Sequence, residues 1–303
     1  MLLLLVVVIW VGSSELTQYI FVTESFDKPY FLTYFSTSLF SFYLLGFVIF
    51  AEWRGTKPWP INEHDPAAIH YTAQHTALLA LMFCPIWFIA NYSFNVSLDL
   101  TSVSSNTIIS STSSFFTLVF GFVVDIESIR LTKFLSVLIC IGGVVLVSYN
   151  DISHSGRSPV LGDGLALISA ITYGVYTVYL RKQIPHEKTV SMPMFFGLVG
   201  LFNILLMWPF FFLLNATKTE TFEFPSKSVL LSLFLNGLIG TVLSDLLWSL
   251  VVFFSSALVA TMGLVLTIPL AMIVDLILGH KTFNILYVIG SLLVILGFVL
   301  VNL

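Results

Sequence analysis

Two carboxylates stand inside long uncharged runs of this chain. Glu15 interrupts MLLLLVVVIWVGSSELTQYIF, with Gln18 at i+3 on the same helical face and Ser14 one turn before Gln18. Asp245 interrupts NGLIGTVLSDLLWSLVVFF, with Thr241 at i−4, Ser249 at i+4 and Trp248 at i+3 as an aromatic wall. A carboxylate in hydrocarbon is costly, so it usually faces a bundle interior, where it can meet a cation or exchange a proton. Tyr173, Tyr176 and Thr177, at i, i+3 and i+4, add one polar aromatic face. Acid and ring together suit a cationic or protonatable organic molecule, through charge pairing and cation–π contact. Each feature also has a plainer reading: Glu15 tying its helix to a neighbour, Asp245 snorkelling near the end of a span, the tyrosines forming an interfacial belt. Asp275 lies closer to a helix end, and Asp99, Asp125, Glu127 and Asp163 read as interfacial and solvated.

Elements that hold such groups in place must cross a membrane. Of 303 residues, 57% are hydrophobic and 9% charged, a balance that excludes one soluble globular core. A hydrocarbon layer about 30 Å thick takes about 20 apolar residues per helix. Reading the breaks in the uncharged runs as loops predicts ten spans, at 2–22, 30–51, 73–97, 101–124, 132–149, 163–181, 191–214, 228–250, 253–278 and 283–303. The fold class expected is an all-α polytopic membrane protein. The apolar first segment lacks the basic start of a secretory signal peptide. Cys84 and Cys140 fall inside spans, without metal-ligand spacing.

The fourth span opens on TSVSSNTIISSTSS, in which eleven of fourteen residues carry hydroxyl or amide groups. Only about ten apolar residues follow, too few to cross alone, so the polar stretch must itself lie in the membrane. Hydroxyls can bond back to their own helix, yet eleven exceed what a lipid-facing helix carries. One side therefore packs against neighbours while the other lines a path, and Asn106 and Ser110 are candidates for that path. Pro193, Pro209 and Pro269 can kink helices beside such a site.

Lysine and arginine divide seven against five between alternate loops, which places both termini in the cytoplasm and the sequon Asn215-Ala216-Thr217 on the opposite side. A shift of 154 residues lays the fourth span on the ninth and matches Gly143 with Gly297 and Ser136 with Gly290. Two copies of five spans, 1–149 and 150–303, must enter the membrane in opposite senses, the inverted-repeat design of secondary transporters.

The segments WVGSSELTQYIF, KPYF, PMFFGLVGLFN, FEFP, NGLIGTVLSDLLW and LTIPL resemble solute carrier family 35, subfamily F, along nearly the whole chain. That resemblance implies the drug/metabolite transporter fold, ten helices in two inverted halves, and alternating access. Relatives in that family carry nucleotide sugars and others are linked to thiamine. It also leads to an expectation of hydrophilic tails, whereas this chain starts and stops at its terminal spans.

A nucleotide-sugar site needs cations for phosphates, but Lys133, Arg181 and Lys182 stand at helix ends. The residues thus favour a secondary carrier of a small organic solute, thiamine-like or another cationic metabolite. A nucleotide-sugar antiporter and a non-transporting scaffold stay open. Neither a P-loop, an H-E-x-x-H pair nor a matched nucleophile and base occurs, so no enzyme is expected. No metal, cofactor or nucleic-acid partner is expected; the partners are the substrate and the lipid bilayer, and a homo-oligomer is compatible. An endomembrane, Golgi, vacuolar or lysosomal, is favoured over the plasma membrane.

Overall fold

The computed structural model describes residues 2–24, 26–49, 72–100, 103–148, 159–184, 190–270 and 285–301. Every regular element among them is helical. In chain order they are α1 (Leu2–Gln18), α2 (Pro29–Ile49), α3 (Ala73–Leu100), α4 (Val103–Ser111), α5 (Ser113–Val123) and α6 (Leu131–Ser148). There follow α7 (Pro159–Gln183), α8 (Met192–Met207), α9 (Phe210–Ala216), α10 (Lys227–Phe254), α11 (Ala257–Val265) and α12 (Ile285–Val301).

Among the described residues, α2, α10 and the bulk of α3 and α7 are long and apolar enough to cross a bilayer. The pair α8 and α9, bent by 42°, makes a fifth crossing if taken as one span. Shorter apolar helices, such as Leu131–Leu146 and Ala257–Leu270, complete the bundle. Leucines, valines and phenylalanines on the outside, Val160, Phe212 and Leu231 among them, stay exposed because lipid is their solvent. The chain is therefore an all-α polytopic membrane protein.

Helix ends follow local chemistry. Pro29 starts α2, where its missing N–H costs nothing. Ser226 and Ser256 cap α10 and α11, their hydroxyls accepting from Val229 N and Val259 N at 3.2 Å each. Pro209 breaks the seventh predicted span, as its fixed φ and lost donor require. Pro193, by contrast, sits in the first turn of α8 and begins that helix instead of kinking it.

Several departures from regular helix were not read from the sequence. The fourth predicted span is two helices that meet at Thr112, whose backbone N–H and hydroxyl both donate to Ile109 O, at 3.0 and 2.5 Å, tightening the junction to a single turn. The middle of α10, Asn236–Leu243, is wound as a π-helix, a form that recurs at functional sites. A second π-turn, Tyr19–Thr23, extends α1.

An intimate antiparallel packing joins α6 and α12. A Cβ on Gly143 would lie 2.6 Å from Gly290 O and 2.9 Å from Val294 N. A Cβ on Gly297 would lie 2.7 Å from Ser136 O and from Cys140 Sγ. Between the two glycines, Cys140 Sγ donates to Val294 O at 3.4 Å. Small residues let the backbones touch, which substitutes for the hydrophobic effect that lipid removes. The main core joins α3, α7, α8 and α10 through Phe83, Trp87, Tyr176, Leu180, Phe195 and Trp248.

Candidate functional site

A cavity of about 1030 Å³ lies between the helices. α1 contributes Trp10, Ser13 and Thr17, and α2 contributes Thr33, Ser36 and Thr37. Trp87, Asn91 and Asn95 come from α3, Ser169, Tyr173 and Tyr176 from α7, and Asn236, Thr241 and Asp245 from α10. The polar stretch adds Asn106, Ser110, Ser111 and Ser113. The wall carries two carboxylates, Asp27 and Asp245, and no Lys or Arg among its described residues.

Six candidate residues are brought together here: Asn106, Ser110, Tyr173, Tyr176, Thr241 and Asp245. Trp248 is a partial correction, because it stands behind the wall, its ring 6.1 Å from Tyr173 and 5.7 Å from Tyr176. The turn of α10 that aims Asp245 at the cavity turns its i+3 neighbour into the core. The backbones of Glu15 and Gln18 lie in α1, and their side chains fall outside the described residues, as do Asp99's side chain and the whole of Asp275.

Asp245 is buried, nine residues before the end of α10, so the reading of a snorkelling helix-end acid does not apply. Among the described residues no hydrogen bond or ion pair reaches its carboxylate. The hydroxyls of Tyr43, Tyr173 and Tyr176 stand within electrostatic range, but Tyr43 donates to Val242 O at 2.8 Å. Among the described residues, the buried indole N–H groups of Trp87 and Trp248 meet no acceptor within hydrogen-bonding geometry. An unpaired buried donor costs about 1–3 kcal/mol, which a fold tolerates where function uses the group. The rings form a continuous floor: Trp87 to Tyr176 at 4.9 Å, Tyr173 to Tyr176 at 4.8 Å and Phe83 to Tyr176 at 5.5 Å.

Amides fix the surrounding helices. Asn236 Oδ1 accepts from Ser13 Oγ at 2.6 Å and its Nδ2 donates to Thr17 Oγ1 at 3.0 Å, tying α10 to α1. Asn95 donates to Thr33 Oγ1 at 2.9 Å, joining α3 to α2, and Asn106 donates to Ser97 Oγ at 2.8 Å, joining α4 to α3. Of these amides Asn106 was a candidate from the sequence, whereas Asn95, Asn236 and the α2 hydroxyls were missed. Polar residues at i and i+4 in apolar runs, as in Asn91 and Asn95 or Thr33 and Thr37, were the available signal.

Among the described residues, the lining is concentrated toward one end of the bundle. Its wall uses the C-terminal part of α3 and the middle of α7 and α10, and it reaches Phe21, Asp27 and Leu98. Toward the opposite end, where α7 and α10 finish, Phe83, Leu180, Ile184, Phe195, Val251 and Val252 fill the space.

Glu127, expected to be solvated, is a correction. Its side chain is 3% exposed, pairs with Lys133 at 2.5 Å and accepts from Leu258 N at 3.4 Å, capping α11. The loop 124–130 folds back on itself through Asp125, with φ of 61°, which carries Glu127 under the helix end.

Comparisons with known proteins agree with this architecture. The sequence model of the triose-phosphate transporter family matches residues 2–301. Solute carrier family 35 member F5 of Mus musculus is 35% identical, over 100% of this chain and 76% of its own length. Two Saccharomyces cerevisiae proteins are also 35% identical: an uncharacterised vacuolar membrane protein, over 98% of this chain and 88% of its own, and the thiamine-repressible mitochondrial transport protein THI74, over 100% and 90%. A solved crystal structure aligns with a TM-score of 0.71 at 13% identity, covering 99% of this chain and 95% of that one, and supports the fold alone. The chain is thus a transporter and not an enzyme, and it belongs to the triose-phosphate transporter family, among the solute carrier 35F proteins of the drug/metabolite transporter superfamily.

Proposed function

We propose that this transporter is a secondary carrier of a small organic cation, thiamine-like in combining positive charge with an aromatic ring. The observation that carries the reading is the buried Asp245 carboxylate facing the cavity beside Tyr173 and Tyr176, in a wall without a described Lys or Arg. A cation supplies the missing counter-charge, and the rings add cation–π attraction. The thiamine-related name of one yeast relative supports the same direction. A nucleotide sugar fits less well, since its phosphates need cations. Two helix-end cations are already engaged, Arg181 with Phe253 O at 3.0 Å and Lys133 with Glu127.

The carrier works by alternating access between inverted halves, 1–149 and 150–303. Supporting this are the reciprocal contacts of α6 and α12: the partners of Gly143 are Gly290 and Val294, and those of Gly297 are Ser136 and Cys140, each equivalent under the 154-residue shift. With the termini cytoplasmic, the cavity faces the lumen or exterior. Asp245 and Glu15 are the proposed coupling carboxylates, at least one of them exchanging a proton. The vacuolar relative supports an endomembrane location.

A thermal-stability screen of purified protein tests the reading. Thiamine, choline and benzylamine are compared with UDP-glucose, because a ligand at 100 times its Kd stabilises the folded state by about 2.7 kcal/mol. At least one cation is expected to raise the melting temperature, and to fail on Asp245→Asn. Stabilisation by UDP-glucose alone overturns it.

A further inference from the structure

α7 and α10 both line the cavity, through Tyr173, Tyr176, Thr241 and Asp245, and they run in the same direction. Two rungs connect them. Tyr176 meets Trp248 with ring centroids 5.7 Å apart, and five residues later on both helices the Arg181 guanidinium donates to Phe253 O at 3.0 Å. Five residues of helix rise about 7.5 Å, so the second rung lies that far below the cavity floor. Between them sit Leu180 and Val252, both fully buried.

Parallel neighbours bring two helix C-termini together, each with a partial negative charge from its last unpaired carbonyls. Arg181 stands in the last turn of α7, and Phe253 in the last turn of α10. Arg181, with Lys182 beside it in the last turn of α7, offsets both dipole ends, and Arg181 alone of the two is seen to satisfy an end carbonyl of the neighbour. The same end is held a second time where Glu127, paired with Lys133, caps α11 two residues beyond the Ser255–Ser256 turn.

We propose that Arg181 is a positioning residue for transport: a latch that keeps the closed end of the cavity shut, and whose release from Phe253 O lets the C-terminal ends of α7 and α10 part. The inference rests on the reading of the cavity as the transport path. It assigns to Arg181 a part in changing the accessible face and none in contacting the substrate. The aromatic floor is then also the upper edge of the gate, so a substrate seated against Tyr176 touches the first rung directly.

The test needs no substrate. In a protein with Cys84→Ala and Cys140→Ala, Val252→Cys places one thiol beneath the floor. Its reaction with a water-soluble maleimide is followed in detergent. With Arg181 present the reaction is slow. Arg181→Gln is expected to speed it about tenfold, and Arg181→Lys, which keeps the charge but loses the fork, about threefold. Both variants must retain a cooperative melting transition; if Arg181→Gln does not, Arg181→Lys decides. Labelling at the parent rate in the folded variants overturns the latch. Because ligand stabilisation is measured separately, that outcome leaves the substrate reading standing, and a failed ligand screen leaves the latch standing.

Discussion

Asp245 and Glu220 show how differently a carboxylate behaves according to what surrounds it. Asp245 meets a cavity and no described donor, a disposition suited to a ligand. Glu220, in the loop after α9, accepts from Tyr30 N at 2.8 Å and Phe31 N at 2.9 Å, holding the start of α2. Burial nevertheless raises its pKa above the usual 4.5, against the opposing pull of those two amides and Lys28. A raised folded-state value means that the folded protein binds the proton more tightly than the unfolded chain does. Its contribution to stability is complete below the ordinary glutamate pKa and is lost as pH rises through the raised value. Glu220→Gln should remove that component, so its melting temperature should fall less than the parent's as pH rises from about 4.5. Parallel pH curves for the two proteins would refute it. Asp245 was legible in the sequence because an acid in an apolar run stands out. Glu220 and Glu127 were not, since acids near span ends look alike until the backbone shows which helix terminus lies beside them.

At the scale of elements, packing is set where small residues permit backbone contact. Gly143→Ala and Gly297→Ala each push a methyl against backbone or sulfur less than 3 Å away, which neither helix can yield without separating. Each should cost about 1–3 kcal/mol, and the two should cost alike, since their surroundings are equivalent under the 154-residue shift. Urea- or heat-induced unfolding measures both. Unequal effects, with one variant at parent stability, would count against the repeat. The seven-residue spacing of small residues made this contact legible, because it marks one helix face whatever the partner. The π-helix in α10 was not legible. Its sequence, NGLIGTVL, has ordinary helical periodicity, and the winding answers tertiary demands: Asn236 bonded to α1, Gly240 pressed against Ser13, and Val242 O taken by Tyr43. The break at Thr112 was hidden likewise, in a stretch where eleven of fourteen side chains can hydrogen-bond to their own backbone.

For the whole molecule, composition alone placed the chain in a membrane, and the alternation of charged loops divided it into spans. The cavity's one-sidedness depends on how α3, α7 and α10 lean together, which hydropathy does not encode. Under the alternating access proposed above, the filled end and the lined end correspond to one of the two faces that such a carrier presents. In the proposed function, Asp245 in this cavity holds a transported organic cation. Uptake of radiolabelled thiamine, or of whichever cation stabilises the protein, into proteoliposomes tests it most directly, with Asp245→Asn in parallel. The substitution keeps shape and removes only charge. Saturable uptake by the parent, responsive to a pH gradient, and a loss of about tenfold or more in an Asp245→Asn protein of undiminished thermal stability is the predicted result. Parent-level uptake and pH response in Asp245→Asn would contradict it.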